Sequence, residues 1–159
     1  VNFDQLEVGL TTGFDIGVRS SVDLDFEAGT FLDNDAMEFI DFKHFQGNRM
    51  SFVPLDVTGG FRMLDYYEHS TQQDYFSMLS HIRFRKLLFT RISALRLAGI
   101  RENFFVNYLY TPTSEHYTEV GYTIDNIFRI FRLEFVQSFQ DWQLKDFGVR
   151  IGITSIFSN

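Results

Sequence analysis

The sequence predicts an all-β protein, and within that class about nine C-terminal strands of a larger antiparallel transmembrane β-barrel. Between residues 14 and 30, apolar side chains keep to even positions and charged side chains keep to odd ones. Because successive side chains of a strand leave on opposite faces, this period of two indicates strands with one apolar and one charged face. Several segments exceed the five or six residues usual in soluble strands and approach the roughly nine to eleven of a membrane-crossing strand. The 20 Phe and 7 Tyr residues suit a lipid-facing surface with aromatic girdles.

The first two strands, at residues 4–16 and 20–31, are predicted to form a hairpin. The alternation begins before residue 14, since positions 6, 8 and 10 are apolar and positions 7, 9 and 11 are polar or glycine. Only the turn-prone Gly17 or the Ser20-Ser21 pair interrupts it.

The middle of the chain is predicted to add strands joined by polar loops at one end and turns at the other. The strands are placed at 36–45, 50–64, 74–85, 94–110, 116–125 and 127–140. The loops are placed at 32–35, 65–73, 111–115 and 141–145, and the turns centre on Gly17, Gly47-Asn48 and Asp125-Asn126, with a longer connector at 86–93. Long loops on one side and mostly short turns on the other are typical of outer-membrane barrels.

A basic stretch spans residues 83–101 and has two interpretations. It supplies six of the fourteen basic residues, namely Arg83, Arg85, Lys86, Arg91, Arg96 and Arg101. Apolar residues at 84, 88, 92 and 95 recur at helical spacing, so an amphipathic helix on a membrane surface is the alternative. We favour a strand, a connector with a helical turn, and another strand. Inward-pointing arginines are expected to pair with acids such as Asp23, Asp25, Glu27 and Glu134.

The last strand is predicted at residues 146–157. Apolar residues occupy the odd positions 147, 149, 151, 153 and 157, and we interpret Phe157 as the aromatic of a C-terminal assembly signal. Nine strands would be an odd number, whereas bacterial single-chain barrels have an even one, so a further strand is expected upstream.

The alternation also predicts which side chains meet lipid and which line the interior. A charge that faces lipid at mid-membrane costs about 2 to 4 kcal/mol, so the acids of the second strand must face a polar interior. The predicted lipid-facing residues are Val22, Leu24, Phe26, Val149, Ile151 and Ile153. The predicted lumen-facing residues are Asp23, Asp25, Glu27 and Arg150.

Composition excludes several classes of protein. The net charge of −7 argues against a nucleic-acid surface, and no apolar run is long enough for a transmembrane helix. With no cysteine, the sequence has no disulfide, thiolate metal site or cysteine nucleophile.

The chemically suggestive residues form no recognised catalytic or metal motif. In DFKHFQGN, an enzymatic interpretation would make His44 a base near Asp41 and Lys43, but no nucleophile pattern accompanies it. Glu68-His69 and Glu115-His116 are adjacent pairs, which point to opposite faces of a strand and chelate poorly. We therefore predict no catalytic residues, no metal site and no cofactor, and the role of DFKHFQGN stays open.

Several stretches together resemble a known family. These are FEAGTFLDNDAMEFIDFKHFQGN at 26–48, FRMLDYYEHST at 61–71, NYLYT at 107–111, IDNIFRIFRLEFVQSF at 124–139 and FGVRIGITSIF at 147–157. They look like a Bacteroidota outer-membrane family of unknown function. The resemblance implies an outer-membrane location, a large barrel and an N-terminal carboxypeptidase-regulatory-like domain ahead of it. It supplies no catalytic residues.

Three functions remain open from the sequence. The first is a non-enzymatic barrel in transport, envelope biogenesis or complex assembly. Its expected partners are outer-membrane lipid, the barrel assembly machinery and a larger outer-membrane complex, with no nucleic acid. The second is a barrel enzyme that uses rim residues such as His69 or His116. The third is a soluble lipocalin-like or sandwich domain that binds an apolar ligand with an inward aromatic face.

Overall fold

Seven long antiparallel strands form the body of the fold. In the computed structural model, which describes residues 4–33, 38–53 and 59–153, one sheet has the order β1-β2-β4-β5-β6-β7-β8-β3. Its long strands are β1 (Asp4–Ile16), β2 (Ser20–Asp33), β4 (Tyr75–Phe84), β5 (Arg101–Thr111), β6 (Glu115–Ile127), β7 (Phe131–Gln140) and β8 (Gln143–Ile153). The all-β prediction is confirmed. Within the described residues the sheet is not closed, because β1 and β8 do not pair with each other.

The first hairpin forms as the alternation predicts. Leu10 of β1 lies opposite Phe26 of β2, and Thr11 lies opposite Asp25, so apolar residues pair with apolar ones and polar residues with polar ones. Gly17 has a φ of +65°, in the left-handed region that glycine enters without steric cost, and it begins the turn between the strands.

Two of the nine predicted strands are wrong. Where described, residues 36–45 contain a 3-10 helix at Phe39–Asp41 and a bridge at Lys43 rather than a strand. Among the described residues of 50–64, the one strand is β3 (Phe52–Val53), which pairs in parallel with the edge of β8, where the Ile151 N–H donates to the Ser51 carbonyl at 2.8 Å. Phe61 forms an isolated bridge with Gly47. The chain between β2 and β4 therefore makes one long excursion. We call its described part, residues 38–53 and 59–73, the insert.

In the basic stretch, the predicted order of strand, helical turn and strand is confirmed, but the element boundaries differ from the predicted ones. β4 ends at Phe84, and the connector contains a 3-10 helix at Phe89–Arg91 followed by α1 (Ser93–Leu97). β5 begins at Arg101, so the predicted strand at 94–110 started several residues too early. None of the helices in the described ranges has the length and apolar character needed to cross a membrane.

The sheet has two faces of opposite character. We call the face covered by the insert the inner face, and the opposite one the outer face. The outer face exposes large apolar side chains on both outermost long strands, including Leu10 of β1 at 60% and Phe147 of β8 at 59% of full exposure. Among the described residues no second sheet covers it. The inner face carries many of the buried polar and charged side chains, among them Asn107, Glu119 and Glu134, whereas the fully buried Glu102 of β5 lies at an outer-face position.

Candidate functional site

The insert packs an apolar cluster onto the inner face. Phe45, Phe61 and Leu64 of the insert meet Leu109 and Tyr117 of the sheet, and Leu64 is fully buried. Burying such side chains contributes about 1.5 to 3 kcal/mol each, so this cluster is a main source of the insert's docking energy. Glycines allow the close approach, since a Cβ on Gly148 of β8 would lie 2.6 Å from Met63 Sδ.

A buried carboxylate on β6 fixes the backbone of the insert. The N–H groups of Arg62 and Met63 donate to Glu119 at 2.7 and 2.6 Å, and Tyr117 Oη donates to the same carboxylate at 2.8 Å. Asn107 Nδ2 donates to it at 3.4 Å. Glu119 is fully buried, so these hydrogen bonds replace the water that an ionised carboxylate requires.

A lysine of the insert binds two acids of the first hairpin. Lys43 Nζ lies 3.1 Å from Glu7 Oε2, pairs with Glu27, and sits 5.1 Å from the centre of the Tyr75 ring. Burial acts to lower the pKa of Lys43, but the hydrogen bonds to Glu27 and Glu7 outweigh it and raise the pKa above its usual value. Lys43 is therefore held as a cation, and it links the insert to β1 and β2.

A second set of ion pairs links the insert to β8. Arg49 pairs with Asp146 and lies 3.2 Å from Asp65, while Lys145 Nζ lies 2.6 Å from Glu68 Oε1. Burial acts to raise the pKa of Glu68, yet the hydrogen bonds from Lys145 and from the Asp65 N–H lower it overall. The insert is thus held to both sides of the sheet.

Beside the insert, the inner face contains a chain of buried ion pairs. Arg150 Nη1 lies 3.2 Å from Glu134, Arg132 lies 4.0 Å from Glu134, and Arg132 also pairs with Asp125. Arg150 further donates from Nε to the Met50 carbonyl at 3.1 Å. These charges alternate in sign, which lets them stay buried on adjacent strands.

A polar cavity of about 510 Å³ adjoins the insert on the inner face. Its wall includes Thr11 of β1, His81 of β4, Asn103 of β5 and Arg132 of β7, with Arg62 contributed by the insert. Because strands from β1 to β7 line one cavity, the sheet curves around it. The insert therefore covers one part of the curved inner face and the cavity lies over another.

The predicted faces agree with the strand register, although the lipid and the lumen themselves remain predictions. Thr12 lies opposite Leu24 and Phe14 lies opposite Val22 on the outer face, and Asp25 receives the Thr11 hydroxyl at 3.0 Å on the inner face. Outer-face positions are Val22, Leu24, Phe26, Val149, Ile151 and Ile153, and inner-face positions are Asp23, Asp25, Glu27 and Arg150. Of the outer-face residues, Val22 is buried, at 6% exposure. Phe157 lies outside the described residues. The expected pairing of arginines with interior acids occurs in Arg83 with Asp23, at 2.9 Å, and in Arg150 with Glu134.

The residues of DFKHFQGN go to separate partners. Asp41 accepts the Glu38 N–H at 3.1 Å, Lys43 binds the hairpin acids, and His44 Nδ1 lies 2.8 Å from Ser70 Oγ. The structure does not bring these three side chains together as an acid-base set. Instead, Lys43 fastens the insert to the first hairpin, and His44 contacts Ser70 within the insert.

Two of the other histidines also contact side chains of the fold. His116 Nδ1 lies 2.8 Å from Tyr108 Oη, and His69 Nε2 lies 3.7 Å from Glu68. Across the described ranges, no group of three His, Asp or Glu side chains could hold a metal ion.

Comparison with known protein families identifies the family of this chain. The profile of the C-terminal domain of the family of unknown function DUF5686 matches residues 1–124. The chain belongs to this family. The predicted resemblance to a family of unknown function is therefore confirmed, whereas the Bacteroidota source, the barrel and the upstream domain remain predictions. The chain has no match among curated proteins or solved structures.

In this DUF5686 domain, sequence reasoning missed the insert as a structural unit. The matched residues contain β1 to β5, most of β6, the insert, and the contacts that hold the insert to β1, β2 and β6, including those of Lys43 and Glu119. Two signals were available. Phe39-Ile40 and Phe52-Val53 break the alternation, and Pro54 lies inside the predicted fourth strand, where it cannot donate a ladder hydrogen bond.

Proposed function

We propose that this domain is a sector of an outer-membrane β-barrel with a non-enzymatic role in transport, envelope biogenesis or complex assembly. The observation that carries the proposal is the inversion of the sheet. Its uncovered outer face is largely apolar, and its charged side is the inner face, which the insert partly covers. A soluble sheet normally buries its apolar side, whereas a membrane barrel turns it towards lipid.

The strand lengths support the same proposal. The long strands have 10 to 14 residues, which meets the roughly nine to eleven needed to cross the hydrocarbon layer at a tilt. All 13 residues of β1 are exposed, and among the described residues its outer edge has no partner. In our proposal further strands, from this polypeptide or another, pair with this edge, because open edges do not occur in the hydrocarbon region.

The insert bears on the kind of barrel that we propose. It fills part of the interior through an apolar cluster and ion pairs to β1, β2 and β8. A role as a wide open pore is therefore disfavoured. We favour a plugged barrel that moves or positions a partner, with lipid and the assembly machinery as its first contacts.

Two neighbouring threonines provide the sharpest test of the proposal. Thr12 lies opposite Leu24 on the outer face, and Thr11 bonds to Asp25 on the inner face. Thr12→Arg puts a charge into lipid, at a cost of about 2 to 4 kcal/mol near mid-membrane, and should block assembly in the outer membrane. Thr11→Arg places the same charge beside an acid and should assemble.

A second matched pair repeats the test on the neighbouring strand. Leu24→Arg should prevent assembly, measured as heat-modifiable protein in the membrane fraction, and Asp25→Arg should be better tolerated. If the variants of each pair assemble equally, the outer face does not meet lipid. A soluble domain that binds an apolar ligand would then become the leading function.

A further inference from the structure

The end of the sheet opposite the insert's apolar cluster carries a concentration of arginines. Six of them line one cavity of about 940 Å³. We call this cavity the arginine mouth, and its arginines are Arg19, Arg83, Arg85, Arg96, Arg101 and Arg129. They come from the β1–β2 turn, the end of β4, the helical connector, the start of β5 and the β6–β7 turn. Folding therefore gathers charges that lie far apart in the sequence.

Most of these charges are not neutralised. Arg83 pairs with Asp23, and Arg96 donates to the Thr90 carbonyl at 3.1 Å. In the part of the chain that the structure describes, the side chains of Arg19, Arg85, Arg101 and Arg129 have no hydrogen-bond or ion-pair partner, and all four residues are exposed. Asp15 is the one acid among the described residues of the wall.

This arrangement is unusual for a chain with a net charge of −7. Arginines that converge on one space repel each other, and an anion bound between them would remove that repulsion. The planar guanidinium group matches phosphate oxygens in pairs, so several arginines around a cavity suit a phosphate group well. The cavity volume also falls within the range of small-molecule sites.

The wall also has an apolar part that is open to solvent. Val18 and Leu97 line the same cavity, and they are 85% and 84% exposed. Phe128, next to Arg129, is 86% exposed. A ligand that satisfies both parts carries an anionic head and an apolar tail.

We propose that the arginine mouth binds the phosphate group of an anionic lipid, with the acyl chain against Val18 and Leu97. The site goes beyond the proposed barrel function, because it is built from the turns and the connector at one end of the sheet. It also adjoins the inner cavity, since Arg83, Arg101, Asn103 and Asn126 line both. A bound headgroup would thus close this end of the interior.

The test uses the full protein in a neutral detergent and titration calorimetry with three probes. These are a short-chain phosphatidylglycerol, the phosphatidylcholine of the same chain length, and sodium pyrophosphate. We expect phosphatidylglycerol to bind at least about tenfold more tightly than phosphatidylcholine, and added salt to weaken this binding. Pyrophosphate as tight as phosphatidylglycerol would keep the phosphate site and overturn its assignment to lipid. If neither anion binds more tightly than phosphatidylcholine, the site is refuted.

Variants locate the binding and separate it from general surface charge. Arg85→Gln with Arg129→Gln removes two exposed, unpaired guanidinium groups and should weaken phosphatidylglycerol binding about tenfold or more. Arg91→Gln is the matched control, because Arg91 is an exposed arginine of the same connector that does not line the mouth. Its binding should stay within about twofold of wild type. An equal loss in the control would contradict the site. Because these substitutions leave Thr12 and the outer face unchanged, membrane assembly is read independently of lipid binding.

Discussion

Glu119 illustrates how one residue can hold a segment of some thirty others in place. Its carboxylate accepts the N–H groups of Arg62 and Met63 from the insert and the hydroxyl of Tyr117 from its own strand. A buried carboxylate without such donors would be strongly destabilised, so the insert and the residue depend on each other. Nothing in the local sequence around residue 119 predicts this, because the partners lie 56 and 57 residues away.

Replacing Glu119 should release the insert without unfolding the sheet. Glu119→Gln replaces one acceptor oxygen by an NH2 group, which would face a backbone N–H of the insert. We expect this to reduce the free energy of docking by about 1 to 3 kcal/mol. Hydrogen–deuterium exchange in residues 59–73 should accelerate, while exchange in β5 and β7 stays slow. Glu115→Gln, an exposed change on the same strand, is the control. Unchanged exchange in the insert would show that Glu119 does not fix it.

His69 makes the docking of the insert sensitive to pH. Burial lowers the pKa of His69 below its ordinary 6.5, with Lys145 acting in the same direction and Glu68 opposing them. The imidazole is 10% exposed and lies against the Tyr117 ring at 5.7 Å between centroids. An undocked insert restores the ordinary pKa and takes up a proton below about pH 6.5. Docking is therefore strongest above that pH and weakens as the pH falls below it.

The measurement is exchange of the insert amides between pH 7.5 and 5, corrected for the intrinsic pH dependence of exchange. His69→Asn should flatten the response, and asparagine suits the φ of +63° at this position. The response of the variant must be smaller than that of wild type. An equal slope in both would assign the effect to other groups.

At the level of elements, the strands were predictable to the extent that their alternation is regular. Most side chains of β1 and β2 alternate between an apolar and a polar face, so the predicted hairpin matches the observed one closely. The insert was not predictable in the same way. Its apolar residues contact the inner face from a backbone that is mostly not extended, so alternation carries no information there. The strand at β5 was predicted to begin too early, because Ala94 to Leu97 suits a helix as well as a strand.

A close backbone contact inside the insert gives an element-level prediction. A Cβ on Gly47 would overlap the carbonyl oxygen of Leu64, which is backbone and cannot rotate away. Gly47→Ala should therefore loosen the insert by about 1 to 3 kcal/mol. Proteolysis between residues 59 and 73 should become faster. Gly9→Ala is the control, because its Cβ would meet the Phe26 carbonyl at an ordinary 3.8 Å. Equal proteolysis of both variants would contradict the packing described.

At the level of the whole molecule, charge and packing divide the interior into three parts. The apolar cluster of the insert lies towards one end, a polar cavity adjoins the insert, and the arginine mouth opens at the other end. The sequence already contained the basic stretch at 83–101, but it could not place Arg19 and Arg129 beside it. Those residues belong to distant turns, and only the strand order brings them together.

The face assignment follows from the sequence, but the content of the interior does not. Alternation sorts Leu24 from Asp25 without knowledge of the fold, since it depends only on strand geometry. The insert fills the inner face through contacts between residues far apart in the chain, such as Lys43 with Glu7 and Arg49 with Asp146. Such pairs have no local signature.

The measurement that tests the central claim most directly is the environment of single cysteines on adjacent positions. The chain has no cysteine, so Leu10→Cys, Thr11→Cys, Leu24→Cys and Asp25→Cys each give one probe site. In outer-membrane vesicles, fluorophores at positions 10 and 24 should be quenched by brominated lipid. Cysteines at 11 and 25 should escape this quenching. Equal quenching on both faces, or none at positions 10 and 24, would contradict a sheet whose outer face meets lipid.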